Sequence, residues 1–198
     1  MNMELLFRLL FLLIFLPTLI ISSYYRRKAR QTGETIPRRA EGGLALALRL
    51  LGALPLLALF LLTVFYPRWL TWATFNGPLW LRWLGVGIGV ACVPLAWWVF
   101  SNIRGNISET VLTKKTHQLV TSGPYHWVRH PLYAVALLEF FALGLLASNW
   151  VIMIYVFLGV VIFRWVVIPK EEQNLLKAFG GDYAAYQQRT GALLPRII

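Results

Sequence analysis

Four apolar stretches alternate with polar, basic segments along the chain: about Glu4 to Ser22, Leu44 to Tyr66, Pro78 to Ser101 and Leu132 to Ile168. Each is near or beyond the ~20 largely apolar residues that a helix needs to cross a bilayer. The fourth, 37 residues long, would extend ~55 Å as a single helix against a hydrocarbon thickness of ~30 Å. It is therefore expected to fold back on itself at Ser148, Asn149 and Trp150, the polar and interfacial cluster inside it. The pattern predicts an all-α integral membrane protein with five transmembrane helices, the last two a helical hairpin.

One membrane domain over 1–198 is expected. Three N-terminal spans fill 1–101, with a basic loop at 23–43. A cytosolic loop at 102–131, the hairpin at 132–168 and a tail at 169–198 follow. Composition agrees: 58% of the residues are apolar and mean hydropathy is +0.62, above the roughly 45–50% apolar usage of soluble domains. The opening MNMELLFRLL lacks a basic leader and a small-residue cleavage site, and its apolar run passes straight into YYRRKAR, the pattern of a retained anchor.

A net charge of +11 would suggest nucleic acid in a soluble protein. Here the basic residues gather at the ends of apolar runs, which excludes that partner class and gives orientation instead. Arg26, Arg27, Lys28, Arg30, Arg38 and Arg39 stand in the first polar segment, Arg104, Lys114, Lys115 and Arg129 in the second, Lys170, Lys177, Arg189 and Arg196 in the tail. The opposite loops carry Arg68. Since Lys and Arg are retained on the cytoplasmic side, the amino terminus is expected outside and the carboxy terminus in the cytoplasm. Trp69, Trp72, Trp80 and Trp150 mark the outer interface, and membrane lipids are the surrounding partner. Cys92 is the sole cysteine, a packing residue, so neither an internal disulfide nor a thiolate metal centre organises the chain, and no metal is expected.

The chemistry is expected where polar chain leaves the membrane. Ser122, Gly123 and Pro124 predict a turn, and Pro131 suits the first turn of the fourth span. GPYHWVRHPLY thus sits at a helix amino terminus, where free N–H groups favour an anion such as a carboxylate. In the tail, Leu175, Leu176 and Phe179 form an apolar stripe behind Glu171 and Glu172. Gly180 and Gly181 break that helix. Asp182 is the expected cap of a second, with Tyr183 and Tyr186 on one face, either over an adenine ring or docked on the loop.

HQLVTSGPYHWVRHPLY, a hydrophobic stretch, and then EEQNLLKAFGGDYAAYQQR together resemble the isoprenylcysteine carboxyl methyltransferase family and the wider group with phospholipid N-methyltransferases. The family pattern, roughly G-x-Y-x-x-x-R-H-P-x-Y and then E-E-x-x-L-x-x-x-F-G-x-x-Y-x-x-Y, is met from Gly123 to Tyr133 and from Glu171 to Tyr186. The resemblance implies S-adenosyl-L-methionine as cofactor, in a cytosol-facing pocket between loop and tail. It implies that His117, Gln118, Leu119 and Val120 line the adenosine and methionine part and that Tyr125 and Tyr183 pack on it. His130, Pro131, Leu132 and Tyr133 would hold its polar groups, and Arg129, Glu171 and Glu172 would act at the reacting centre. The acceptor implied is a lipid or lipidated molecule entering from the bilayer, of prenylcysteine-carboxylate type. Relatives acting on prenylcysteine place an Arg a few residues before the Glu pair, where this chain has Val167 and Ile168, with Arg164 one turn deeper.

A charge inside a span costs at least ~2.5–3.5 kcal/mol if unpaired, so Glu139 and Arg164 are expected to pair or to line the acceptor channel. Other readings are a phospholipid or small-lipid N-methyltransferase and a non-enzymatic small membrane transporter. A membrane sterol reductase needs many more spans than 198 residues provide.

Overall fold

The structure is a computed structural model that describes residues 2–32, 43–103 and 118–196. Every regular element among them is helical: α1 (Met3–Thr32), α2 (Gly43–Phe65), a 3-10 segment (Pro67–Ala73), α3 (Leu79–Ile103), a 3-10 turn (Gly123–His126), α4 (Pro131–Leu146), α5 (Trp150–Ile162), a π turn (Phe163–Val167), α6 (Ile168–Phe179) and α7 (Gly181–Arg189). Three helices are long and apolar enough to cross a membrane, Met3–Gln31, Leu79–Ile103 and Trp150–Phe179. A fourth crossing arises if Leu51–Phe65 and the 3-10 segment, bent by 115° from it, count together. The predicted five therefore becomes three to four by length, because α4, at 16 residues, falls short on its own.

With lipid tails as apolar as leucine, helices associate in a membrane by close packing more than by hydrophobic drive. α3 lies between α1 and α4 because its glycines permit contact. A Cβ on Gly85 would stand 2.6 Å from the Ala142 carbonyl oxygen, and one on Gly89 would stand 2.9 Å from Ile14. Phe11, Phe15 and Phe140 each meet Phe60 edge-on at ring distances of 5.0–5.6 Å, fixing α1, α2 and α4 together. Leu13 and Leu51, 68% and 70% exposed, face outward, as residues of a lipid-facing wall do.

The break predicted at Ser148 to Trp150 is there. Ser148 takes a positive φ of 50°, and the Asn149 side chain caps α5 by accepting from the N–H groups of Val151 and Ile152. α5 returns beside α4, with Gly144 against Met153, Leu137 against Gly159 and Tyr133 stacked on Phe163.

Three boundaries differ from expectation. α1 does not stop at Ser22 but runs on through the basic YYRRKAR to Thr32, since Arg, Lys and Ala are good helix formers once outside the apolar zone. Nor does the tail begin afresh at Pro169. The helix continues through the π turn, in which the Ile168 N–H bonds to the Phe163 carbonyl, and widening by one residue accommodates a proline without an N–H. Asp182 is not a cap: Gly180, at φ 53°, occupies the junction, and Asp182 falls in the first turn of α7.

Candidate active site

The loop before α4 and the tail meet at one end of the bundle. Gly123 opens the loop with φ 61°, and a Cβ there would lie 2.4 Å from the Asn102 side-chain oxygen, so turn geometry and space both call for glycine. Pro124 and Tyr125 are buried beneath it. The chain then runs beside the residues after α7: the Arg129 N–H donates to the Gly191 carbonyl at 2.8 Å and the His130 N–H to the Ala192 carbonyl at 3.0 Å. Pro131 starts α4, whose first turn has no side-chain cap.

The side chains of both motifs join in one network. Arg129 Nε donates to Glu172 Oε1 at 2.7 Å, and its NH1 donates to the Gln187 carbonyl at 3.2 Å and to the Thr190 carbonyl. His130 Nε2 lies 3.1 Å from the same Glu172 oxygen, and Gln187 Nε2 donates to the other at 2.9 Å. The Tyr133 hydroxyl donates to Glu171 Oε2 at 2.9 Å, with His130 Nδ1 3.6 Å from that oxygen. Rings of His130, Tyr133 and Phe163 stack in sequence at 5.7 and 4.5 Å. In α7, Tyr183 and Tyr186 are buried edge to face at 6.0 Å, and the Tyr186 hydroxyl donates to the Tyr125 carbonyl at 2.5 Å.

The two carboxylates are pushed in opposite directions. Burial alone would raise Glu172, but hydrogen bonds from His130 and Arg129 and their charges outweigh it and hold the carboxyl down at about 2. Burial dominates at Glu171 and raises it above the usual carboxylate range, against the His130 charge and the Tyr133 hydrogen bond. Glu172 is thus a fixed anion within a closed network. Glu171, its side chain 28% exposed, is the one open to a visitor. Three side-chain polar atoms are buried without a partner among the described residues: the hydroxyls of Tyr125 and Tyr183, at this site, and Glu139 Oε1, away from it.

Residues 85–177 match the sequence model of the isoprenylcysteine carboxyl methyltransferase family, and the geometry has just brought both signature segments together. Over that stretch the chain resembles that family. The chain is similar over 124 residues, at 32% identity, to the cobalt-zinc-cadmium resistance protein CzcN of Cupriavidus metallidurans, covering 63% of this chain and 53% of that protein. It is 32% identical over 72 residues to the protein YpbQ of Bacillus subtilis, covering 36% of this chain and 43% of that one. Methanethiol S-methyltransferase 1 of Bradyrhizobium diazoefficiens is 30% identical over 76 residues, 36% of this chain and 24% of that enzyme. The chain spans about half the length, or less, of these relatives.

Of the residues that sequence reasoning assigned to the family site, the structure brings together Tyr125, Arg129, His130, Tyr133, Glu171, Glu172 and Tyr183. Gln118, exposed, and Leu119 and Val120, half-buried, enter the turn just ahead of it. His117 lies outside the described residues. Leu132 points elsewhere, against Ala29 and Phe100. Glu139 and Arg164 do not pair. Glu139 is 3% exposed and faces Thr18 and Cys92, on the side of α4 turned to α1 and α3, whereas Arg164 is exposed on the π turn. Six residues along a helix place Glu139 about 120° around from Tyr133, so the two look at different neighbours.

Gln187, Thr190 and Gly191 were missed. Gln187 sits one turn after Tyr183 on the same face of α7, and that i, i+4 spacing from a motif tyrosine was the available signal. Arg82 was missed too. It stands at the opposite end of the molecule, where both guanidinium nitrogens hold the Glu4 carboxylate at 2.5 and 3.1 Å. With Arg8 beside it, the base-poor end is less empty of cations than the loops alone suggest.

Proposed function

We propose that this membrane protein transfers a methyl group from S-adenosyl-L-methionine to an acceptor that reaches it from the bilayer. One observation carries the reading: His130 and Tyr133, from the loop motif, hydrogen-bond the carboxylates of Glu171 and Glu172, from the tail motif, in a single network. The residues present fit the cofactor in three ways. The uncapped first turn of α4 suits a carboxylate. Glu171 and the stacked rings of Tyr133 and His130 suit a cation. The partnerless hydroxyls of Tyr125 and Tyr183 suit the polar edge of a nucleoside.

When bound, the cofactor supplies a methyl group already activated on a positively charged sulfur. What remains for the chain is alignment and exclusion of water, and near-attack positioning can lower a barrier by ~7–11 kcal/mol. Arg129, with its guanidinium taken up by Glu172 and two backbone carbonyls, is a positioning residue that pins the tail over the loop. Glu172 keeps His130 in place. Glu171 is the group able to accept a proton from an incoming nucleophile.

The acceptor reads in two ways. A prenylcysteine-type carboxylate follows from the family resemblance and needs no base. A thiol is favoured by the chain itself: Arg129 is already occupied by Glu172 and two backbone carbonyls, Val167 and Ile168 stand where an arginine is expected, and Glu171 is available as a base. The relative described as a methanethiol methyltransferase supports that reading. For topology we infer five crossings, with α4 and α5 as a hairpin, α4 spanning ~24 Å, the amino terminus outside, and loop and tail in the cytoplasm.

Calorimetry with S-adenosylhomocysteine on the detergent-purified protein is expected to show near-stoichiometric binding, and its absence refutes the enzyme in favour of a transporter. With labelled methyl donor, product formed from an alkyl thiol and none from a prenylcysteine selects the thiol reading; the reverse selects the carboxylate.

A further inference from the structure

The end of the bundle away from the Glu171–Glu172 network holds a pocket. It is a recess of about 70 Å³ that opens between the start of α1, the end of α2, the 3-10 segment, the start of α3 and the turn joining α4 to α5. Charged residues Glu4, Arg8 and Arg82 line it together with Phe7, Leu70 and Leu146.

The two arginines are in different situations. Arg82 is fully engaged: both terminal nitrogens hold Glu4, Nε donates to the Leu146 carbonyl at 2.9 Å, and the guanidinium lies 3.9 Å above the Phe7 ring. Arg8, half-buried on the same wall, makes its hydrogen bonds among the described residues to two backbone carbonyls, Glu4 at 3.3 Å and Val64 at 3.4 Å, both long. One carboxylate, Glu4, faces two guanidinium groups, so the pocket is net positive, and Arg8, which the Glu4 charge also feels, has donors to spare. A planar guanidinium with free N–H groups is matched by the oxygens of a phosphate.

The surroundings say which phosphate. Trp69, Trp72 and Trp80 near the pocket are 69%, 63% and 62% exposed, the placement of indoles at headgroup depth. Leu5, Leu9 and Leu13 run outward along α1 from its mouth, 42%, 44% and 68% exposed. We propose that this pocket binds the phosphodiester of an anionic phospholipid, with Arg8 on the phosphate and an acyl chain along the leucines of α1. The site is separate from the one that methylates, and it holds α1, α2, α3 and the α4–α5 turn together from the membrane side.

The test uses the delipidated full-length protein in detergent, titrated with phosphatidylglycerol, with diacylglycerol of the same chains, and with inorganic phosphate. Native mass spectrometry and thermal unfolding are the readouts. Phosphatidylglycerol is expected to bind one to one, at least tenfold more tightly than diacylglycerol, and to raise the melting temperature, with phosphate alone giving no rise. Arg8→Gln is expected to abolish the preference and Arg8→Lys to keep most of it, with S-adenosylhomocysteine binding the same in both. Equal binding of phosphatidylglycerol and diacylglycerol by the unaltered protein overturns the proposal, and needs no variant to fold. So does a preference that survives Arg8→Gln, and stabilisation by inorganic phosphate equal to that by the lipid overturns the lipid as its source.

Discussion

Both ends of the molecule are tied by an arginine and a glutamate from distant parts of the chain, under different conditions. Arg129 and Glu172 meet with side chains 12% and 15% exposed, and Glu172 also receives His130 and Gln187. Arg82 and Glu4 meet with side chains 14% and 63% exposed, so water still reaches the carboxylate. A buried pair is costly to break because the survivor is stranded as a desolvated charge, whereas an open pair loses little to the solvent that replaces it. Similar chemistry therefore makes a site in one place and a fastening in the other.

The sharpest way to break that contrast is Arg129→Ala, which strands Glu172 and releases two backbone carbonyls of the tail. A loss of about 3–5 kcal/mol is expected, read as a fall in melting temperature together with fast proteolysis after α7. Methyl transfer should disappear with it.

Acid offers a second route. Folding depresses the Glu172 carboxyl, so its contribution is fully present above the ordinary carboxylate range near pH 4.5 and is lost as pH falls toward about 2. The cost at the acid end is on the order of 3 kcal/mol, and a Glu172→Gln protein should show a flatter stability profile across that window. Equal slopes for the two proteins would remove Glu172 from the account.

Smaller again is Tyr186→Phe. It leaves the Tyr125 carbonyl without its hydroxyl donor and is expected to cost about 1–2 kcal/mol, weakening S-adenosylhomocysteine binding in calorimetry. The smallest effect belongs to the far end: Glu4→Gln keeps an oxygen for Arg82, whose Nε stays on the Leu146 carbonyl and whose guanidinium stays over Phe7, so it should change stability by under about 1 kcal/mol and leave cofactor binding untouched. A loss as large as that of Arg129→Ala would erase the distinction between the two pairs.

Much of the frame is legible in the chain because it depends on local rules. The apolar runs are long, Ser148 and Asn149 are the polar interruption of the fourth, and Asn149 does cap α5 as its residue type suggests. Pro131 starts α4, and Gly123 and Gly180 take the positive φ values that turns require. The motif letters from Gly123 to Tyr133 and from Glu171 to Tyr186 point to a shared site. Local rules did not reveal that α5 passes into α6 through a π turn, because a proline ordinarily reads as a stop and only the extra residue from Phe163 to Val167 relieves it. They did not separate Glu139 from Arg164 either, since depth along a span says nothing about which neighbour a residue faces.

By itself the amino-acid sequence determined that the chain is helical and apolar enough for a membrane, the break at Ser148 and Asn149 and the identity of the two polar segments, because hydrophobic patterning and turn residues act within a few positions of one another. Only the tertiary structure decided which carboxylate is clamped and which is open, that Gln187, Thr190 and Gly191 complete the site, and that Arg8 is left over beside a satisfied Arg82. Those outcomes depend on which groups meet after some forty to eighty positions of chain have closed, and on how much water remains where they meet.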